Sequence, residues 1–238
     1  MDKHVTTAVI TGASEGLGLA VASVLARRGM NLVVAARHAG NLEAAAATLS
    51  SHCEVVAVAA DVSEDAEGIV NAGLKRFGRI DILINNASEL GPSPLPSLEQ
   101  LPWRAMQRIL AVNVLAPLHL MQLVLPSMKA RRHGIIVNVT SDAALNAYPG
   151  WGGYGASKAA LEHMSATLTA ELEDGGIRVL VVDPGDMDTR MHRAAEPGVD
   201  LSSLPRPEAV ALALLGLLDD ESILSGRYQA QKLLAQVL

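Results

Sequence analysis

Val9-Ile10-Thr11-Gly12-Ala13-Ser14-Glu15-Gly16-Leu17-Gly18 carries a β-branched run directly into a glycine-rich turn and the start of a helical pattern. Glycines let a backbone turn tightly and approach a pyrophosphate, and the helix N-terminus adds free amides and a positive dipole end. The alternative is an ordinary strand–helix turn, but a position on the first strand, opening the first helix, favours nucleotide binding. The predicted phosphate-binding residues are Gly12, Ser14, Gly16, Leu17 and Gly18.

The same alternation of apolar runs and helical patterns continues along the chain. The predicted strands are Thr6–Thr11, Leu32–Ala36, Val55–Ala59, Ile82–Asn85, Ile135–Thr140, Arg178–Asp183 and Arg227–Ala230. The predicted helices are Leu17–Arg28, Leu42–Ser51, Asp65–Phe77, Trp103–Arg131, Tyr154–Glu173 and Glu208–Leu218. Continuous apolar strands separated by helices indicate a parallel sheet that is covered on both faces. We therefore predict one α/β domain over residues 1–238, a Rossmann-like doubly wound parallel sheet.

Composition excludes several classes of function. The net charge of −6 provides no basic face for a nucleic acid. The basic run Lys129 to His133 falls at a predicted helix end, where cations complement the helix dipole. Cys53 is the only cysteine, so neither an intramolecular disulfide nor a cysteine metal cage can form, and we predict no metal site.

The single cysteine suits a reducing compartment, and nothing before Val5 resembles a secretory signal, so we expect a cytoplasmic protein. The apolar stretch Ile109 to Pro126 contains Asn113 and Pro117, which favour a helix buried in a globular domain over a membrane span.

The least regular segment runs from Asp186 to Pro207. Loops beyond the carboxyl ends of parallel strands form the ligand crevice in this class of fold. The segment is long for a plain surface connection, so we predict a substrate lid over 186–207.

Tyr154 and Lys158 lie four residues apart, on one face of a predicted helix. A nearby ammonium favours the phenolate, so we expect Lys158 to lower the pKa of Tyr154 and the pair to serve as an acid/base unit. The alternative is a surface tyrosine beside a solvated lysine, which is common for so short a motif.

Further polar residues follow the predicted strands: Asn86 and Ala87 after one, and Ser141 after another. In their order along the chain, these motifs resemble the short-chain dehydrogenase/reductase family: Thr11–Gly18, Asn85-Asn86-Ala87, Asn113, Ser141, Tyr154-x-x-x-Lys158 and Pro184-Gly185-x-x-x-Thr189. The resemblance covers nearly the whole chain.

The resemblance implies a role for each matching residue. Tyr154 would be the general acid or base, Ser141 would bind the substrate oxygen, Lys158 would bind the nicotinamide ribose, and Asn113 would hold a relay water. Positions matching the family's cofactor contacts are Asp61 and Val62 near the adenine, Asn86 and Ala87 at the ribose, and Thr189 near the carboxamide, with Pro184 and Gly185 also predicted to bind the cofactor. The Asn113 role has independent support, because Pro117 has no amide hydrogen and deprives the Asn113 carbonyl of its helical partner.

The implied activity is hydride transfer between NADP(H) and a ketone, aldehyde or alcohol, in a homotetramer or homodimer. NADP(H) is preferred over NAD(H) because Ala36 replaces the usual carboxylate after the second strand and Arg37 can bind the 2′-phosphate. Glu15 argues against this preference, since its charge lies near the phosphate.

Two other functions stay open. One is a non-catalytic NADP(H)-binding regulator, and the other is a 3-oxoacyl-acyl-carrier-protein ketoreductase that docks its carrier on the Lys129–His133 cluster. Asp186 after Pro-Gly departs from the family pattern, as does Ser88 in place of glycine, and the roles of Glu89, Asp142, Trp151 and Asp186 stay unassigned.

Overall fold

A computed structural model describes residues 5–172 and 175–237. Seven parallel strands form one sheet in the order β3-β2-β1-β4-β5-β6-β7. Their bounds are β1 Thr7–Thr11, β2 Asn31–Ala36, β3 Val55–Ala59, β4 Ile82–Asn85, β5 Gly134–Val139, β6 Ile177–Asp183 and β7 Gly226–Gln229. The chain order reverses between β1 and β4, which opens a crevice at the carboxyl ends of these strands.

Helices cover both faces of the sheet. They are α1 Gly16–Arg27, α2 Ala39–Leu49, α3 Ala66–Phe77, α4 Trp103–Leu110, α5 Ala116–Arg131, α6 Gly152–Glu171, α7 Arg190–Ala195, α8 Pro207–Asp219 and α9 Ala230–Val237. One core cluster packs α1, α2 and α8 on the sheet, and the other packs α3 and α5 on the opposite face. The predicted doubly wound fold is confirmed.

Local signals explain where helices begin and end. Asp65 accepts a hydrogen bond from the Gly68 amide and caps α3, and Gly78 ends the same helix in the left-handed region, with φ of 75°. Pro207 opens α8, where its missing amide is not needed.

The predicted helix Trp103–Arg131 is interrupted. Residues Ala111–Leu115 form a π-helical turn between α4 and α5, and the Ala116 amide bonds to the Ala111 carbonyl. The wider turn directly precedes Pro117, which cannot donate the regular bond to the Asn113 carbonyl. By length and composition this stretch could cross a membrane, but 56% of its most apolar window is buried in the domain, as in the core helix of a globular protein.

Two predictions near the chain's end were incomplete. The last strand ends at Gln229, and Ala230 begins α9, which the sequence reading did not predict. The short helix α7 lies inside the predicted lid. The predicted end of α6 at Glu173 lies outside the described residues; the helix is described to Glu171.

Candidate active site

The glycine-rich turn between β1 and α1 is tightly packed against the end of β4. Gly12 has φ of +66°, and a Cβ there would lie 2.8 Å from Asn86 Nδ2. A Cβ on Gly18 would lie 2.2 Å from the Gly12 carbonyl oxygen. Only glycine fits both positions, so the turn can pack this closely against the end of β4.

Neighbouring polar groups hold this turn in place. Thr11 Oγ1 accepts hydrogen bonds from the Asn86 and Ala87 amides, each at 3.0 Å. Asn86 Nδ2 donates to the Thr11 carbonyl at 2.8 Å. Glu15 makes no side-chain cap on α1 and pairs instead with Arg190 at 2.5 Å, so the first amides of the helix remain available to an anion.

Arg37 has a carboxylate neighbour that the sequence did not reveal. Arg37 follows β2 with its side chain 51% exposed, and its Nη1 lies 3.4 Å from Glu89 Oε2. Ala36 indeed removes the carboxylate at the end of β2, but the loop after β4 brings Glu89 to the same arginine. The contact between Glu89 and Arg37 was not predicted from the sequence.

The loop after β3 adds a further ion pair. Asp61 accepts hydrogen bonds from Arg108 and from Ser63, the latter at 2.7 Å. Burial alone would raise the pKa of Asp61, but the bonds from Arg108 and Ser63 lower it to about 2. Sequence reasoning missed Arg108, because nothing in the local pattern of α4 marks it as a partner of Asp61.

Tyr154 and Lys158 are both buried at the start of α6. The ammonium lies 5.4 Å from the centre of the Tyr154 ring and donates to the Val139 carbonyl at 2.8 Å. Within the described chain this carbonyl is its one hydrogen-bond acceptor, so two of its N–H donors remain available. Trp151 packs edge-on against Tyr154, with ring centres 5.7 Å apart. The surface alternative for this pair is thereby excluded.

Burial dominates the electrostatics of the pair. It raises the pKa of the Tyr154 phenol to about 12, against the effect of a hydrogen bond with the Ser88 side chain and with the help of the Asp183 and Asp142 charges. It also lowers the pKa of Lys158 to about 8. The predicted lowering of the Tyr154 pKa is therefore wrong for this geometry, because desolvation of the phenolate is the largest cause of the shift and Lys158 donates its hydrogen bond to the Val139 carbonyl.

Asn113 lies in the π-helical turn, and its side chain is fully hydrogen-bonded. Its amide group donates to the Glu89 carbonyl and to Ser157 Oγ, each at 2.9 Å. Its oxygen accepts from the Glu89 amide at 2.7 Å and from Ser88 Oγ at 3.2 Å. The side chain thus connects the π-helical turn with the loop after β4 and with α6. Because its own donors and acceptors are used, a relay water would have to bind the backbone carbonyl of Asn113.

Ser141 follows β5 and faces the same groove. Its hydroxyl donates to Asp142 Oδ1 and accepts from the Ala143 amide, both at 3.1 Å. Asp142 also accepts from the Tyr148 hydroxyl at 2.7 Å, so it is part of the wall near Ser141.

A partly buried ion-pair network that the sequence did not reveal lies at the end of β6. Arg227 of β7 contacts Asp183 and Glu162, each at 3.0 Å, and donates to the Ser141 carbonyl at 3.3 Å. Asp183 in turn accepts from the Gly185 amide at 3.0 Å. The network joins the Ser141 loop to the Pro184-Gly185 turn.

One groove brings most of the predicted residues together. Its lining includes Gly12, Ser14, Gly16, Leu17, Arg37, Asp61, Val62, Asn86, Ala87, Ser141, Tyr154, Lys158, Pro184, Gly185 and Thr189. Gly18 and Asn113 are not part of this lining, whereas Asp142, Trp151 and Asp186 are. Glu89 is not part of it either, but its carboxylate contacts the lining residues Arg37 and Arg108. The lining also includes Arg108, and Met187, Met191 and Ala195 from the predicted lid. Within the described ranges, no group of three or more His, Cys, Asp or Glu side chains could hold a metal ion.

A doubly wound sheet with a glycine turn at its switch point and a groove across its carboxyl edge defines a dinucleotide-binding α/β protein. The family described as short chain dehydrogenase matches residues 6–200. The chain belongs to the short-chain dehydrogenase/reductase family, whose members are oxidoreductases that bind nicotinamide cofactors and act on small molecules.

Individual relatives agree with this assignment. An uncharacterized oxidoreductase of Listeria monocytogenes is 35% identical over 188 residues, which cover 77% of this chain and 75% of that protein. An alcohol dehydrogenase of Thermococcus sibiricus, solved with 5-hydroxy-NADP, has 31% identity and a TM-score of 0.84, covering 94% of this chain and 95% of its own. A xylitol dehydrogenase bound to NAD⁺ has 25% identity and a TM-score of 0.84, and the match covers 96% of this chain and 98% of that protein. Similar structures therefore hold either cofactor.

Proposed function

We propose that this protein is an NADP(H)-dependent carbonyl reductase, in which Tyr154 transfers the proton and the reverse reaction oxidises a secondary alcohol. The observation that carries the proposal is the buried Tyr154–Lys158 pair beside Ser141, in the groove that also contains the glycine-rich turn. The phenol is protonated at neutral pH, so it carries the proton that reduction of a carbonyl requires.

The groove fits a dinucleotide. The glycine-rich turn lines the groove, and the uncapped first amides of α1 suit a pyrophosphate. The two spare N–H donors of Lys158 suit the hydroxyls of a ribose.

When bound, the nicotinamide supplies the hydride or accepts it. Ser141 Oγ orients the substrate oxygen by donating to it in place of Asp142, and Tyr154 Oη protonates that oxygen. The Asn113 backbone carbonyl and Lys158 would hold the water that returns a proton to Tyr154. The segment 186–207 would close over the substrate, a proposal supported by the residues that it contributes to the groove wall.

The preference for NADP(H) depends on Arg37. Ala36 at the end of β2 replaces the carboxylate that NAD-binding proteins of this fold carry, and the exposed guanidinium of Arg37 follows it. Glu15 opposes the preference less than its charge suggests, because it is paired with Arg190. We predict that Arg37→Ala lowers the ratio of kcat/KM for NADPH to kcat/KM for NADH about tenfold, as expected for a lost bond between charged groups. An unchanged ratio would contradict this role.

One experiment tests the reaction. Absorbance of NADPH is followed while the protein is offered ketones, aldehydes, quinones and 3-oxoacyl thioesters, with Tyr154→Phe as the control. Turnover that the control lacks supports the reductase. NADPH binding without turnover across the panel would instead favour the non-catalytic regulator.

The same panel tests the carrier-protein alternative, for which the structure offers little support. Arg131 of the basic cluster already donates to the Ile80 carbonyl at 2.7 Å and lies 3.6 Å from Asp81. A cytoplasmic location is part of the proposal, and it is supported by the single Cys53.

A further inference from the structure

Glu89 is held more firmly than an ordinary loop residue. Its backbone exchanges two hydrogen bonds with the Asn113 side chain, at 2.7 and 2.9 Å. Its Oε1 accepts from the Gly91 amide at 3.3 Å, and its side chain is only 22% exposed. The position of the carboxylate is therefore set by the buried π-helical turn and by its own loop.

The other carboxylate oxygen of Glu89 lies between two arginines of the groove. Oε2 is 3.4 Å from Arg37 Nη1 and 3.9 Å from Arg108 Nε. Arg108 is fixed from its other side by Asp61. Arg37 lines the groove and is the more exposed of the two, at 51% against 31% for Arg108.

We infer that Glu89 limits the cofactor preference, because its carboxylate competes with the 2′-phosphate of NADP(H) for the guanidinium of Arg37. This inference rests on the proposed role of Arg37. A 2′-phosphate that binds Arg37 must displace Glu89 or lie beside a like charge, and either event weakens binding. NAD(H) has no 2′-phosphate and leaves the ion pair intact.

The test uses the whole protein and equilibrium binding, so that it does not depend on a known substrate. Dissociation constants for NADPH and NADH are measured by calorimetry for the wild type, Glu89→Gln, Arg37→Ala and the double variant. Glu89→Gln should raise the ratio of the NADH constant to the NADPH constant about two- to fivefold, the effect of one exposed ion pair. The increase should arise from tighter NADPH binding.

Glu221→Gln is the matched control, because it removes the same charge from an exposed turn between α8 and β7 and should leave the ratio unchanged. In the Arg37→Ala background, Glu89→Gln should lose most of its effect, since the competed group is gone. If the ratio of the NADH constant to the NADPH constant stays the same in Glu89→Gln, Glu89 does not compete with the phosphate and the inference is overturned. A fall in this ratio would also overturn it, because Glu89 would then hold Arg37 in place for the phosphate. An unchanged ratio in Arg37→Ala would instead overturn the proposed cofactor preference.

Discussion

Removal of the Tyr154 hydroxyl should abolish proton transfer without weakening the binding of NADPH. The ring of Tyr154→Phe keeps its packing against Trp151, while the proton donor is lost. General acid catalysis contributes about 10²- to 10⁴-fold, so we expect kcat to fall by at least that factor while the NADPH dissociation constant stays nearly unchanged. Stopped-flow single-turnover kinetics and calorimetry measure the two quantities. A variant with near-normal kcat would show that another group donates the proton.

Burial of Lys158 should be visible in the stability of the protein without cofactor. Its pKa is about 8 in the folded protein, against an ordinary value of 10.5 in the unfolded chain. Between these values the unfolded state binds more protons, so the free energy of unfolding rises with pH. Tyr154 does not mask this effect below pH 10, because its phenol is protonated in both the folded and the unfolded state there. Its raised pKa lowers the free energy of unfolding only as the pH increases from about 10 to about 12.

We therefore predict that the difference in unfolding free energy between the wild type and Lys158→Met grows in favour of the wild type from pH 7.5 to about 9.5. Urea unfolding at several pH values measures it. Lys129→Met, which replaces an exposed lysine, should show no such trend. A pH-independent difference for Lys158→Met would mean that the folded and unfolded pKa values are alike.

At the scale of secondary-structure elements, the π-helical turn Ala111–Leu115 is stabilised by the side chain of Asn113. Asn113→Ala would remove four hydrogen bonds and leave buried partners such as the Glu89 amide unsatisfied. We expect a loss of about 2–4 kcal/mol in the free energy of unfolding, from the cost of unpaired buried polar groups. Asn71→Ala, on the exposed face of α3, should change stability by less than about 0.5 kcal/mol. Equal effects of the two substitutions in urea unfolding would contradict this role.

The ion pairs of Arg227 show how one element at the edge of the sheet supports the site. β7 is the last strand in the sheet order, yet its arginine reaches the ends of β5 and β6 at the groove. The C-terminal part of the chain therefore contributes to the position of Ser141 and of the Pro184-Gly185 turn.

For the whole molecule, we propose a homotetramer, or failing that a homodimer. Trp103 is 74% exposed and Leu115 is 59% exposed, both on the predicted helix Trp103–Arg131. An interface between subunits would remove such large apolar side chains from water. Light scattering at micromolar concentration should report an assembly, and Leu115→Glu should shift it toward smaller species. Val5→Glu, at another exposed apolar residue, serves as the control. A wild-type protein that is monomeric under these conditions would contradict the proposal.

The sequence by itself determined the doubly wound fold and identified most of the predicted residues that line the groove. Strand and helix patterns are local, and the order of parallel strands follows from short right-handed connections. The glycine turn was readable because Gly12 and Gly18 occupy positions where a side chain has no room. Tyr154 and Lys158 were readable because their spacing places them on one face of a helix.

Only the tertiary structure decided which charges meet in that groove. Glu89 reaches Arg37 across 52 residues of chain, and Arg108 reaches Asp61 across 47. Such pairs depend on which loops converge at the carboxyl edge of the sheet, which no local pattern encodes. The direction of the Tyr154 pKa shift was likewise a tertiary property. It depends on the depth of burial, because desolvation of the phenolate is the largest cause of the shift, while the ammonium beside the ring donates its hydrogen bond to the Val139 carbonyl.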